Sequence, residues 1–324
     1  MATYKGIQGY SVQKLSSDPT ASSGTEGQLF YNTTTGKFKI VAGNSGAWSS
    51  GGNLTTLRQG LRGAGTQTAG IVAGGAGVPG KNDETEKYDG TTWTEVNDLN
   101  TARAEGGMAS AGPSTANLYF CGQGHPPSTT LTSTESWDGT SWTEVAATGL
   151  TLGAANIGTG TQTAALCCGG YVSGASTAVG SFNGSSWAAA PAMNTGRFQL
   201  GGSGTSTASI VFGNEPASAI TETFNGSTWT AVNSLNNARN VAGGFGTTTS
   251  AIAVGTKDDP TGITEAWDGT SWTAVANLAT GRWLVGAAGT GSAGFAAGGA
   301  IPAQTNVTEE WSDTPAATKT FTAS

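Results

Sequence analysis

The chain has 324 residues, of which 52 are Gly and 10 are Pro, and only 11% carry charge, less than half the usual share. It sets 14 Lys+Arg against 21 Asp+Glu, a net charge of -7, and no cluster of basic residues offers a footprint for nucleic acid or an anionic membrane. The glycines follow no triplet period, 10 Trp and 10 Phe argue against plain disorder, and three cysteines are too few for a disulfide framework.

In chain order, residues 1–43 come first and share no repeat with the remainder of the chain. They hold a hairpin signal, Leu29-Phe-Tyr31-Asn-Thr-Thr-Thr-Gly36-Lys-Phe-Lys-Ile, with a glycine-bearing turn between aromatic flanks. The first fifteen residues lack an apolar core, and no apolar run reaches the ~18 residues of a membrane span, so neither signal peptide nor membrane insertion is expected.

From residue 44 onward the chain repeats. Tyr88-Asp-Gly-Thr-Thr-Trp93 recurs as Trp137-Asp-Gly-Thr-Ser-Trp142, Phe182-Asn-Gly-Ser-Ser-Trp187, Phe224-Asn-Gly-Ser-Thr-Trp229 and Trp267-Asp-Gly-Thr-Ser-Trp272. A sixth copy starts at Trp311 and breaks off. The leading aromatics lie 49, 45, 42, 43 and 44 residues apart, the period of propeller blades. Each Asp-Gly or Asn-Gly pair reads as a hairpin with a type I′ turn, which needs φ > 0 at both central residues. Upstream sit short apolar strands ending in glycine, such as Gly70-Ile-Val-Ala-Gly-Gly75, and before each of these another turn and strand. Four short strands per unit, with no helical period, predict an all-β, six-bladed propeller over residues 44–324, four antiparallel strands per blade.

Closure is also legible. An Arg follows the hairpin Trp by ten residues at Arg103, Arg197, Arg239 and Arg282, and the same interval joins Trp48 to Arg58. Trp48 therefore reads as the outer strand missing from the sixth copy, so the ring is closed by an N-terminal strand. A competing closure would use Thr318–Phe321 at the C-terminus, and the Trp48 version is preferred.

The glycine pair Gly74-Gly75, the sequence Glu86-Lys-Tyr88-Asp89 and Trp93 together resemble the kelch repeat, over about residues 44–311. Clean Gly-Gly pairs are kept in only three copies, and the hairpin turns are tighter than in many kelch proteins. Kelch propellers host enzymes, adaptors and structural proteins alike, so this resemblance implies a fold and no activity. Residues 1–43 are similar to short modules near the N-termini of tailed-phage fibre and appendage proteins. The Thr/Ser/Gly/Ala-rich repeats are similar to kelch-like proteins of marine phages. These resemblances imply a non-enzymatic virion protein, made in the host cytoplasm: a fibre, spike or appendage component. It would bind other virion proteins through residues 1–43, be present as a homo-oligomer or in many copies, and contact a host-surface receptor or glycan. Two alternatives stay open: a cellular or secreted kelch adaptor or adhesin for a peptide or glycan, and, less favoured, a sialidase-like enzyme.

No catalytic set emerges. The single histidine, His125, sits in a Gly/Pro loop without a nucleophile partner, Cys167-Cys168 lack metal-ligand spacing, and Asp258-Asp259 fall short of the 6–8 oxygens calcium takes. No cofactor or metal is expected. Five repeat-phased arginines (Arg58, Arg103, Arg197, Arg239, Arg282) could ring the channel mouth to capture an acidic ligand or pair within each blade with Glu86, Glu135, Glu222, Glu265 and Glu309. The blade lacking Arg has Leu152, and the next copy has Gly180 in place of Glu. Joint loss favours pairing, because a lone buried charge is costly. Trp48, Trp93, Trp142, Trp187, Trp229 and Trp272 are expected in the blade core rather than stacked on sugars. The loops between second and third strands differ in every copy, which makes their face the candidate for partner binding, with Lys81, His125, Glu215, Asp258 and Asp259 its candidate residues. The same variation is also expected of loops that nothing constrains.

Overall fold

The computed structural model describes residues 12–19, 28–42, 46–77, 80, 82–124, 129–150, 152–240, 242–257, 259–313 and 317–320. Among them the chain is all-β, without a helix, and divides into two compact units: Met1–Gly46 with Asp313–Ser324, and Ala47–Ser312. The division differs from the expected 1–43 and 44–324. The C-terminal strand Ala317–Thr320 pairs antiparallel with Lys37–Ala42, in a sheet that also holds Gln13–Leu15 and Leu29–Asn32. The strand considered for the competing closure thus completes the sheet of the N-terminal segment. In that unit Asp18 takes an ion pair from Lys39 (2.6 Å) and a hydrogen bond from Asn32 Nδ2 (2.5 Å), while Asn32 Oδ1 caps the turn at Thr34 and Thr35.

The second unit repeats a four-stranded antiparallel sheet, an architecture that fits a β-propeller. Sheet one comprises Arg62–Thr66, Ala69–Ala73, Thr85–Tyr88 and Trp93–Val96. Sheet two comprises Gly107–Met108, Asn117–Phe120, Thr134–Trp137 and Trp142–Glu144; sheet three, Ile157–Thr161, Ala164–Cys168, Val179–Phe182 and Trp187–Ala190. Sheet four is made of Gly201–Thr205, Ala208–Phe212, Thr221–Phe224 and Trp229–Val232, and sheet five of Gly243–Thr247, Ser250–Val254, Thr264–Trp267 and Trp272–Ala274. Sheet six takes Gly286–Thr290, Ala293–Ala297 and Thr308–Ser312 from one end of the chain and Ala47–Ser50 from the other.

One register recurs. The leading aromatic of the third strand faces the Trp of the fourth: Tyr88 opposite Trp93, Trp137 opposite Trp142, Phe182 opposite Trp187, and so on to Trp311 opposite Trp48. Ring centroids lie 4.7 Å apart at Tyr88–Trp93 and 5.3 Å apart at Trp48–Trp311, so the pair assembled from the two chain ends matches one made by a hairpin. Such pairs add to the stabilisation from burial alone, by roughly 0.5–1.5 kcal/mol each. The turn between them is not the expected two-residue type I′. Four residues, Asp89–Thr92, separate the paired aromatics, and of these only Gly90 has a positive φ (95°). Asp89 Oδ1 instead accepts the N–H groups of Thr91 (2.8 Å) and Thr92 (2.7 Å), and Asp138, Asn183, Asn225 and Asp268 do the same in their copies. The Asx side chain does the work that a second left-handed residue would do.

The first strands pack closely against one another from sheet to sheet, which is why they are built of glycine and small residues. A Cβ added to Gly158 would lie 2.3 Å from Met108 O in the neighbouring sheet. Between sheets, the apolar cores are built from two partners at a time, for example Phe295, Tyr88 and Trp93, or Tyr119, Ala73, Trp137 and Trp142.

Candidate functional site

The repeat-phased charges sit at the foot of the variable loops. Arg58 pairs with Glu86 (2.5 Å), Arg103 with Glu135 (2.7 Å) and Arg282 with Glu309 (2.6 Å), and Arg197–Glu222 and Arg239–Glu265 are likewise in contact. All ten side chains are buried. Each Arg lies on the linker leading into a sheet and pairs with the glutamate on that sheet's third strand. The other guanidinium nitrogen donates to carbonyls on either side of the variable loop: Arg58 Nη1 to Gly74 O (3.0 Å) and Glu84 O (2.6 Å), Arg103 Nη1 to Cys121 O (3.3 Å) and Ser133 O (3.0 Å). The carboxylates accept backbone N–H groups as well. Glu135 accepts from the N–H groups of Asn100 (2.7 Å) and Thr101 (3.2 Å) and from Asn100 Nδ2 (2.9 Å). Burial pulls the guanidinium groups of Arg197, Arg239 and Arg282 down from their usual value, and the facing glutamates push them back up.

The glycine at position 74 is explained by this clamp. Its φ is 66°, and an added Cβ would lie 2.5 Å from Arg103 O, to which Gly75 N donates. Cys121, with φ 58°, takes that conformation in sheet two.

Of the candidate partner-binding residues, Lys81, His125 and Asp258 lie outside the described residues. Glu215 is half-buried and accepts a hydrogen bond from Asn240 Nδ2. Asp259 accepts from Thr261 N (2.8 Å), and the hydrogen bonds from Thr261 hold its carboxyl below the usual range. These two carboxylates engage separate partners: Glu215 the linker into sheet five, and Asp259 a residue of its own loop.

The outer tryptophans carry a feature that sequence reasoning missed. Trp93 Nε1 donates to Thr308 Oγ1 (3.0 Å), Trp142 to Thr85 (2.9 Å), Trp187 to Thr134 (2.9 Å), Trp272 to Thr221 (3.1 Å) and Trp48 to Thr264 (3.2 Å). Each bond runs from one sheet to the third strand of the sheet before it, and the Trp93 bond runs from sheet one to sheet six. In sheet three the corresponding residue is Val179, and Trp229 turns to Pro191 O (2.9 Å). Trp93, Trp142, Trp229 and Trp272 are buried, whereas Trp48 and Trp187 are half-buried. The threonine always precedes the clamp glutamate, a Thr-Glu pair that sequence inspection could have found.

A second unforeseen feature lies on the variable-loop side. Gly60, Glu105, Gln199 and Leu284, each two residues after a clamp Arg, have positive φ, as does Ala155, three residues after Leu152; the angles fall between 50° and 67°. Their backbones bond in succession: Gly60 N to Leu284 O (2.8 Å), Glu105 N to Gly60 O (2.8 Å), Ala155 N to Glu105 O (2.9 Å) and Gln199 N to Ala155 O (2.7 Å). The sixth member by phase, Val241, lies outside the described residues. Four non-glycine residues held left-handed at one repeat position cost on the order of 1–3 kcal/mol each, offset by this belt of bonds. Gln199 Nε2 donates to Glu105 Oε2 (3.3 Å). Arg62, on the first strand of sheet one, donates from Nε to Gly106 O (2.5 Å) and from Nη2 to Asn156 O (2.8 Å), tying sheet one to the feet of sheets two and three.

The arrangement is suited to holding loops in fixed positions. Among the described residues no group of three or more His, Cys, Asp or Glu could hold a metal ion. No protein-family model matches the chain, and no curated protein matches its sequence.

Proposed function

We propose that the chain is a six-bladed, kelch-like β-propeller closed by Ala47–Ser50, and that it serves as a non-enzymatic component of a tailed-phage virion, displayed in several copies for contact with the host surface. The observation that carries the reading is the Arg–Glu clamp. A buried ion pair whose glutamate also accepts backbone N–H groups fixes the feet of loops whose sequences differ from sheet to sheet. Rigid feet under variable loops lower the entropy lost on binding, the design of a recognition scaffold. Closure is supported by the Trp48–Trp311 pair and by the Trp93–Thr308 bond. The virion assignment rests on the resemblance of residues 1–43 and of the repeats to phage appendage proteins. In this reading residues 1–43 mediate attachment to other virion proteins.

Three experiments test it. Immunogold labelling of purified particles of the encoding phage should decorate the tail or its appendages, and particles free of the protein would end the virion reading. Joint substitution of Lys81, His125 and Asp258 by Ala should lower attachment of the purified protein to host cells while leaving its melting temperature unchanged. For closure, a chain starting at Arg58 should melt well below the parent, since an uncovered sheet edge and exposed aromatics cost several kcal/mol, on the order of 25 cal/mol per Å² of apolar surface. An unchanged melting temperature would refute closure by Ala47–Ser50.

A further inference from the structure

We propose that the cleft between sheets two and three, beside Phe182, is a binding site for a small planar heteroaromatic molecule that carries an N–H, such as indole. Other seams of the same molecule show what such a place accepts. In sheets five and six the leading aromatic of the third strand is a tryptophan, buried among an Ile and a Val of the preceding sheet. Trp267 clusters with Ile210 and Val232, and Trp311 with Ile252 and Val275. Each indole N–H donates to a carbonyl of the turn between the first and second strands: Trp267 Nε1 to Thr248 O (2.9 Å) and Trp311 Nε1 to Gly291 O (3.0 Å). An apolar floor and a turn carbonyl thus receive one N–H-bearing ring.

Sheet three keeps that setting without the indole. By register, Leu118 and Val145 of sheet two hold the places of the Ile and the Val, and Gln162 holds that of Thr248 and Gly291. The aromatic is Phe182, which is smaller than a tryptophan and has no N–H to give the Gln162 carbonyl. A partly open cleft of about 170 Å³ lies at this point, with Leu118, Ser136, Val145, Gln162, Thr163 and Phe182 in its wall. An apolar cavity of about 150 Å³ is enough to bind benzene. Val145 is 40% exposed, whereas Val232 and Val275, which face an indole, are half-buried. Gln162 Nε2 donates to Ser136 Oγ (2.9 Å) and to Trp137 O (2.6 Å), which fixes the turn across the seam. Phe224 repeats the smaller ring in sheet four, but Ala190 stands there in place of the valine, so the apolar floor is reduced.

The test is calorimetric titration of the full chain with indole and with benzothiophene, which has nearly the same shape and no N–H. Indole should bind saturably, and benzothiophene several-fold more weakly, the worth of one hydrogen bond. Phe182→Trp supplies the indole from the chain itself and should abolish binding. Val145→Glu, at an exposed position, should weaken binding about tenfold by placing a charge on the apolar wall. Crystals soaked in bromoindole should give an anomalous peak between sheets two and three. Absence of saturable binding, equal affinity for the two ligands, undiminished binding in Phe182→Trp or Val145→Glu, or an anomalous peak elsewhere would each overturn the proposal. The Val145→Glu and diffraction arms stand even if Phe182→Trp does not fold.

Discussion

Sheet three and the other five sheets solve the same packing problem in opposite ways. Elsewhere the linker contributes a buried Arg, and the third strand contributes the glutamate that meets it and the threonine that receives a tryptophan N–H. Sheet three has Leu152, Gly180 and Val179 at those three positions. A Cβ on Gly180 would lie 2.8 Å from Leu152 Cδ1, so the leucine fills the space that a carboxylate takes in the other sheets. Trp187, on the same sheet, is half-buried, and Trp229 of the next sheet finds a carbonyl in place of the missing hydroxyl. The polar set is therefore exchanged as a unit. Half of it would be worse than none, because a lone buried charge is destabilising while an apolar replacement of the whole pair is tolerated.

The largest effect should come from splitting a pair. Arg239→Leu alone strands Glu265 and should cost about 3–5 kcal/mol in urea unfolding. Adding Glu265→Gly, which copies sheet three, should recover part of that loss, so the double variant sits well above the sum of the singles. Additive losses would show that the two residues act independently, and sheet three would then owe nothing to joint replacement. Next comes the aromatic wall. Trp272→Ala should cost about 3–5 kcal/mol, and Trp187→Ala distinctly less, because Trp187 is only half-buried and faces Gly180 rather than a carboxylate clamp. Equal losses at the two sites would mean that sheet three is no looser than its neighbours.

These differences mark how far the sequence can be read. The Arg–Glu pairs are legible because charges are scarce in this chain and each recurs at one phase, and because Leu152 and Gly180 depart together. The tryptophan acceptors are not, since threonine is so abundant that Thr85 or Thr221 does not stand out from the turn residues around it. Asp-Gly signals a hairpin but not its length: the same two residues suit a type I′ turn and an Asx-capped loop of four. Arg62 escapes notice because it falls outside the repeat phase, four residues beyond Arg58, and a lone Arg on a glycine-rich strand carries no mark of burial. The strand at Ala317–Thr320 is recognisable as a strand, but its partner lies in a segment that shares no period with the repeats.

A smaller effect separates the seam between sheets one and six from the rest. Only there does the leading aromatic carry a hydroxyl: Tyr88 donates to Glu310 (2.5 Å) and accepts from Gly52 N (3.3 Å). Burial, reinforced by the bond to Glu310, raises the phenol from about 10 to about 12. A folded-state value above the unfolded one stabilises the fold fully below pH 10, and the contribution fades as pH rises from 10 to 12. Tyr88→Phe should cost about 1 kcal/mol at neutral pH and should flatten this alkaline decline, read as denaturation midpoints across pH 9–12. A variant that declines in parallel with the parent would place the alkaline sensitivity elsewhere.

The smallest effect lies in the hairpin loops, where sheets one, two and five use Asp89, Asp138 and Asp268 while sheets three and four use Asn183 and Asn225. The backbone N–H groups of Thr92 and Thr91 hold the Asp89 carboxyl down at about 2, and the equivalent N–H donors lower Asp138 and Asp268. A depressed folded-state value contributes stability above the ordinary carboxylate range, and that contribution is lost as pH falls from about 4 toward 2. Asn accepts the same two N–H bonds without titrating, as Asn183 and Asn225 already do. Replacing all three aspartates by Asn should therefore leave neutral-pH stability nearly unchanged and make the melting temperature less sensitive to acid between pH 4 and 2. The loops are exposed, so the shift should be slight and should shrink further in salt. An acid profile identical to the parent's would show that the turn aspartates, and the N–H groups that cap them, do not set the acid response.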